Sequence, residues 1–237
     1  MLEQNLLNEI EKISKRKIHS FEQYHNAQQI SWKRKQRVYG TTIEKKKINR
    51  PEHWKKNNMH NPYYVLKHSK EIAHSVFKKL ITESYKSREP FIRQIPKKDS
   101  SEHRNVNIFQ IPDEAVSYLV YSKLLQKNKH RLSSFSYAYR NDRNVHFAIQ
   151  DIALDMRDTP RIYIAEFDFK DFFGSINHSF IINQYDTNGF MISKFERYII
   201  QQFLEMNINL KDGESYRGIA QGTSISLFLA NMVCWEL

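Results

Sequence analysis

Leu2, Leu6, Leu7, Ile10 and Ile13 recur at the intervals of one helical face, so an amphipathic helix is expected over residues 2–17. From 19 to 60 the periodicity fades into polar and basic residues, which read as a short helix and a linker. It returns over 64–86, where Ile72, Val76, Phe77, Leu80 and Ile81 line one face of a second helix. Pro90 and Pro96 bracket an extended stretch at 91–95, polar residues turn the chain at 97–103, and Val106, Ile108 and Ile111 lead back. That order predicts a β-hairpin with a basic tip. Further helices are expected at 113–127, 144–157, 191–206 and 224–237. The apolar, β-branched run over 162–168 has the length of a buried strand, and Asp212-Gly213 marks a hairpin turn between 208–210 and 215–216. The pattern is that of an α+β protein without internal repeats.

Composition narrows the class. The chain has 237 residues, 40% hydrophobic and 13% aromatic, enough for a sizeable core despite a mean hydropathy of −0.68. Six Gly and six Pro exclude collagen-like or low-complexity architecture. Cys234 is the single cysteine, which excludes a disulfide framework or a Cys-rich zinc module; within an apolar helix it is expected to pack in the core. The ten His lack the i, i+4 spacing of a helical zinc pair and are expected at the surface or as caps. No Gly-Lys-Ser/Thr loop suggests an NTPase. No apolar run approaches the roughly 18 residues of a membrane span, and the N-terminus is unlike a signal peptide. A soluble, cytoplasmic protein without a membrane partner is expected.

Charge is unevenly placed. Residues 1–100 hold 23 Lys/Arg and 10 Asp/Glu, residues 101–237 hold 14 and 16, and the net charge is +11. Lys33-Arg34-Lys35, Lys45-Lys46-Lys47 and Lys55-Lys56 are interleaved with Trp32, Tyr39 and Trp54. Such a surface suits nucleic acid through counterion release and base stacking; the alternative is a solvated basic helical face with no partner.

Two segments carry candidate chemistry. In the first, the apolar run ends in Asp168-Phe169-Lys170-Asp171-Phe172-Phe173-Gly174-Ser175-Ile176. An acid at a strand's C-terminal edge can reach a divalent cation, and Mg²⁺ takes one or two carboxylates with substrate phosphates completing its shell. Alternatively Asp168 or Asp171 caps a local element. In the second, Gly218-Ile219-Ala220-Gln221-Gly222 precedes an apolar helix. The glycines free the backbone for close approach of a nucleotide, and Gln221 offers a donor and an acceptor. The alternative is a plain loop with Thr223 or Ser224 as N-cap.

The two segments together, in this order and with Gln221 53 residues after Asp168, resemble the reverse transcriptases. That family's palm has a first block Asp-x-x-x-Phe-Phe-x-x-Ile and a second block Gly-x-x-Gln-Gly-x-x-x-Ser, both matched at every defining position. Ile95-Pro96-Lys97-Lys98-Asp99 with Arg104 is similar to the fingers hairpin of group II intron and retron enzymes. Phe135-Ser136-Tyr137-Ala138-Tyr139-Arg140 is similar to their Ser-Tyr-x-x-Arg segment. Ala138-Tyr139-Arg140-Asn141-Asp142, and Ser226-Leu227 in place of the usual Ser-Pro, lean toward bacterial defence-associated, abortive-infection members.

The resemblance implies right-hand polymerase fingers over 61–158 and a partial palm over 159–237, behind a basic helical extension at 1–60. It implies that Asp168 binds Mg²⁺, or Mn²⁺ in its place, and that Phe169 adds a backbone carbonyl. Phe173 matches the ring beneath the sugar that favours dNTPs, with Phe172 expected to pack in the core. Lys97 or Lys98 and Arg104 match cationic residues that hold the triphosphate, and Gln221 and Gly222 match the segment bordering nucleotide and template base. The implied partners are an RNA or DNA template-primer, dNTPs and a dedicated noncoding RNA.

One departure matters. The family's second acid pair, usually Tyr-x-Asp-Asp, has no counterpart, since no Asp-Asp dipeptide occurs in the chain. The sequence stops at Leu237, inside the helix that should precede that hairpin and the thumb. This polypeptide alone is therefore expected not to polymerise; either it is a truncated product or a second chain completes the palm. A non-catalytic RNA-binding remnant and a subunit of a homo-oligomer are the competing readings.

Overall fold

The computed structural model describes residues 2–40, 43–45, 47–96, 103–158, 161–207 and 216–235, with Arg104 and Asn207 described in their backbone alone. Helices α1 (Glu3–Tyr39), α2 (Glu52–Lys56), α3 (Pro62–Lys67) and α4 (Ser69–Ile81) come first, then strands β1 (Phe91–Pro96) and β2 (His103–Ile108). Helices α5 (Ile111–Asn128), α6 (Val145–Met156), α7 (Phe172–Ser175), α8 (His178–Thr187), α9 (Lys194–Leu204) and α10 (Ser224–Val233) follow. Mixed helices with a small two-stranded sheet agree with the expected α+β class. The chain forms two compact units, residues 1–85 with 109–116, and 86–108 with 117–237.

In the first unit Leu6, Ile10 and Ile13 of α1 are buried with Val65 of α3, Ile72, Ala73 and Leu80 of α4, and Ile111 and Ala115 of α5. The helix expected to end near residue 17 runs on to Tyr39, and after Ser14 none of its residues is buried. Its extension is rich in Gln, Lys and Arg and free of Gly and Pro until Gly40, so backbone propensity sustains what burial does not. Gly40 ends it at φ +89°. The helix expected over 64–86 is two helices that meet at His68 and end at Ile81. Asn57 and Asn61 set local starts, each accepting the backbone N–H two residues on. Arg16 and Lys17 both reach Glu114, at 2.9 and 2.8 Å. Trp54 is buried against Phe21 and Tyr63, with ring centres 5.1 and 6.1 Å away, so it is a core residue rather than a surface platform for bases. His60 is buried too, contrary to the expected surface placement, and burial lowers its pKa.

In the second unit β1 and β2 pair antiparallel with Phe91 opposite Ile108 and Ile95 opposite Arg104, the hairpin the proline-bracketed pattern predicts. Helices α8, α9 and α10 bury Ile181, Ile199, Ile200, Phe203, Ile225, Phe228 and Met232. The capping box of Ser193 and Glu196 starts α9, and Lys127 of α5 closes on the same carboxylate. Asn128 ties the loop before α9 to α5: its amide N–H₂ donates to the Met191 carbonyl and its Oδ1 accepts the Met191 N–H. Cys234 is the half-buried C-cap of α10 rather than a core residue, and burial raises its thiol pKa.

The strand expected over 162–168 is absent. Residues 162–169 are irregular and exposed, Tyr163 and Phe167 at 88% and 91%. A strand needs a neighbour for its backbone groups, and among the described residues β1 and β2 use each other. Helix α6, expected from its pattern, also buries no residue. The turns at 97–102 and at Asp212-Gly213 lie outside the described residues. No helix of the described residues is long and apolar enough to cross a membrane.

Candidate functional site

Asp171 takes a left-handed conformation at φ 48° immediately before the short α7. Its carboxylate lies where a Cβ on residue 174 would stand, so any larger residue there would push the Asp171 side chain aside. The turn aims the backbone of 173–178 at residues 216–219. The Ile219 N–H donates to the Phe173 carbonyl and the Gly218 N–H to the Ile176 carbonyl, both at 2.8 Å. Asn177 and Arg217 form an antiparallel bridge, and the His178 N–H donates to the Tyr216 carbonyl at 2.9 Å. The two segments singled out in the sequence are thus joined backbone to backbone.

His178 adds a side-chain link that the sequence reading missed by expecting surface histidines. It is buried, its Nε2 lies 2.7 Å from the Gly218 carbonyl, and its ring stacks near Tyr216. A carbonyl only accepts, so Nε2 carries the proton. His178→Leu strands that carbonyl, and a cost of about 1–3 kcal/mol is expected. The check is the denaturation midpoint together with amide exchange at Gly218 and Ile219; unchanged exchange at both would remove the linking role.

The hairpin reaches the second segment as well. The Asn107 N–H on β2 donates to the Gln221 carbonyl at 3.1 Å. Gly222, at φ +122°, presses on the Asn107 carbonyl so closely that a Cβ would collide with backbone. Thr223 then caps α10, accepting the Ser226 N–H, and the Ile225 N–H is received by the Ser117 hydroxyl. The loop with Thr223 as N-cap is thus present, and the backbone that closely approaches Gly222 is that of Asn107 on β2.

A third strand of chain supports Phe173. Tyr139 sits at φ 57°, rare for a non-glycine, and its ring meets Phe173 edge-on with centres 6.4 Å apart. Its carbonyl accepts from the Tyr121 hydroxyl, and Asn231 of α10 donates to the Ala138 carbonyl at 3.0 Å. Arg140 is turned inward: it donates to the Ser133 carbonyl and grips Asp142 at 3.0 and 2.8 Å, which lowers the Asp142 pKa. It braces the loop rather than facing a ligand. No local signal marks Tyr139 or Asn231 for these contacts, which span 34 and 93 residues of sequence.

The structure therefore brings Phe173, Gln221 and Gly222 into one connected framework. Asp168 and Phe169 stand on the exposed segment before it, with the Phe169 ring 5.3 Å from Phe172. Phe172 is half-buried between Phe169 and Phe173, so it is not the core residue expected. Lys97 and Lys98 lie outside the described residues, and Arg104 is placed by its backbone on β2.

This domain is of the polymerase class. The model for reverse transcriptase (RNA-dependent DNA polymerase) matches residues 95–237, a stretch that contains every residue of the site. The chain belongs to the reverse transcriptase family. No curated protein matches the chain.

The family works with divalent metal ions, template-primer and dNTPs. Among the described residues no three His, Cys, Asp or Glu side chains converge to hold a metal ion. Asp168 supplies one exposed carboxylate. Two cations held against a triphosphate need several anionic ligands, so the described donor set does not fit a two-metal centre.

Proposed function

We propose that the chain forms the fingers and the first part of the palm of an RNA-directed DNA polymerase of bacterial antiviral-defence type. The observation that carries this reading is the backbone junction of 173–178 with 216–219, itself bonded through Gln221 to the β1–β2 hairpin. In this reading the fingers span 61–158 and the palm begins at 159. Phe173 lies beneath the sugar of a dNTP and excludes a 2′-hydroxyl by contact. Gln221 and Gly222 border the nucleotide, while Lys97 or Lys98 and Arg104 hold the triphosphate, Arg by its bidentate fork. Asp168 is one anionic ligand for Mg²⁺ or Mn²⁺, with Phe169 offering its carbonyl. The reaction is transfer of a nucleotidyl group to a primer 3′-hydroxyl with release of pyrophosphate. The defence assignment rests on Ala138 to Asp142 and on Ser226-Leu227.

The donor set also favours a second reading, a non-catalytic RNA-binding protein, because the acids needed for two metals do not converge among the described residues. Primer extension on an RNA template separates the two. The 237-residue chain is expected to be inactive alone and to extend a primer when a second polypeptide supplies a Tyr-x-Asp-Asp hairpin; continued inactivity favours the binding protein. Asp168→Ala is expected to abolish the reconstituted reaction, and equal incorporation by both proteins would remove Asp168 from the site. Phe173→Val is expected to narrow the preference for dNTP over rNTP by about 10–200-fold, the reach of one apolar contact.

A further inference from the structure

Outside the stretch matched by the family, the first unit has a polar notch. His25, Gln28, Gln29 and Trp32 lie at helical intervals along α1, and Lys45, Lys47 and Ile48 line the same cavity of about 360 Å³. That volume falls in the ~300–1,000 Å³ range of small-ligand sites. The Trp32 indole N–H donates to the Ile43 carbonyl at 3.0 Å, which fixes the ring and ties the returning chain to the helix. The Lys45 ammonium stands over the ring, 5.6 Å from its centre, as a cation–π partner. Gln28, half-buried, has no hydrogen-bond partner for its amide among the described residues.

The charge around the notch is unneutralised. Lys15, Arg16, Lys17 and Lys56, elsewhere in the unit, each have a carboxylate partner. Lys33, Arg34, Lys35, Arg37, Lys45 and Lys47 have none among the described residues. A fixed aromatic ring, an open amide and two ammonium groups without a carboxylate partner, in one cavity, match the three parts of a nucleotide: base face, base edge and phosphate.

We propose that this notch binds one nucleotide unit of a single-stranded nucleic acid, with Lys45 and Lys47 on the phosphate, Trp32 under the base and Gln28 at its edge. A duplex would hide the base face, so the strand must be unpaired. The site is separate from Asp168, Phe173 and Gln221, and it stands or falls without the polymerase reading.

The test is binding of short, unstructured, labelled oligonucleotides to the full chain by fluorescence anisotropy, across about 50–200 mM salt. Lys45→Gln with Lys47→Gln is expected to weaken binding about 10-fold or more and to flatten the salt dependence by about one phosphate contact. Lys33→Gln with Lys35→Gln removes the same charge outside the notch and is expected to change affinity by about 2-fold at most. Trp32→Phe keeps a ring and is expected to abolish the tryptophan quenching that accompanies binding. RNA and DNA of one sequence, run in parallel, show which strand is preferred; either preference supports the site. Equal losses in the two double-lysine proteins, quenching that survives Trp32→Phe, or no binding at the lowest salt would each overturn it.

Discussion

Gly222→Ala is expected to be the most damaging single substitution in the second unit. At φ +122° any side chain is strained, by about 1–3 kcal/mol, and here the new methyl also meets the Asn107 carbonyl. Backbone cannot swing aside as a flexible side chain can, so overpacking adds about 1–3 kcal/mol more. Together these predict a melting temperature lower by roughly 6–12 °C, taking about 3 kcal/mol at 2–4 °C per kcal/mol. Gly40→Ala makes a sharp control. Gly40 also has positive φ, but nothing lies within 4 Å of its added Cβ, so it incurs the conformational strain alone. Calorimetry on both proteins checks the difference; equal shifts would mean that the contact with β2 is unimportant. If Gly222 acts as proposed, its loss also releases the hairpin from the nucleotide-bordering loop.

Glu196→Ala is expected to cost about 2–3 kcal/mol. The carboxylate is buried, receives the Lys127 ammonium at 2.8 and 2.5 Å, and accepts both the Ser193 N–H and its hydroxyl. Breaking a fully buried pair costs about 3–5 kcal/mol, and the lower figure applies because Lys127 is 36% exposed and finds water. Burial alone would raise the Glu196 pKa, but Lys127 and Ser193 outweigh it and hold the group below its ordinary 4.5. A carboxylate lowered in the folded state contributes stability above that ordinary value and loses it as pH falls through the folded pKa. The gap in melting temperature between wild type and Glu196→Gln is therefore expected to be full at neutral pH and to shrink below about pH 4.5. A gap that stays constant into acid would show that packing, not charge, holds α9.

Several elements were legible from local pattern because their cause is local. Leu6, Ile10 and Ile13 announce α1, and the proline-bracketed run at 91–95 announces the hairpin. The second half of α1 escaped the pattern because its helix rests on propensity, which leaves no apolar stripe. The run at 162–168 misled for the opposite reason: its residues suit a strand, but a strand forms only against a partner. Trp54 illustrates a third limit. An aromatic among lysines looks alike whether it faces solvent or, as here, the ring of Phe21.

Sequence by itself determined the family through the spacing of its two blocks, along with the basic character of the first hundred residues and the helices whose apolar faces repeat. Tertiary structure alone decided that Phe173, Gly218 and Gln221 share one framework, that His178 and Tyr139 serve it, and that Trp32 and Lys45 meet. The physical reason is range. Periodicity and backbone propensity act over a few residues, whereas the hydrogen bonds joining 173 to 219 and 107 to 221 exist only after distant segments have been brought together.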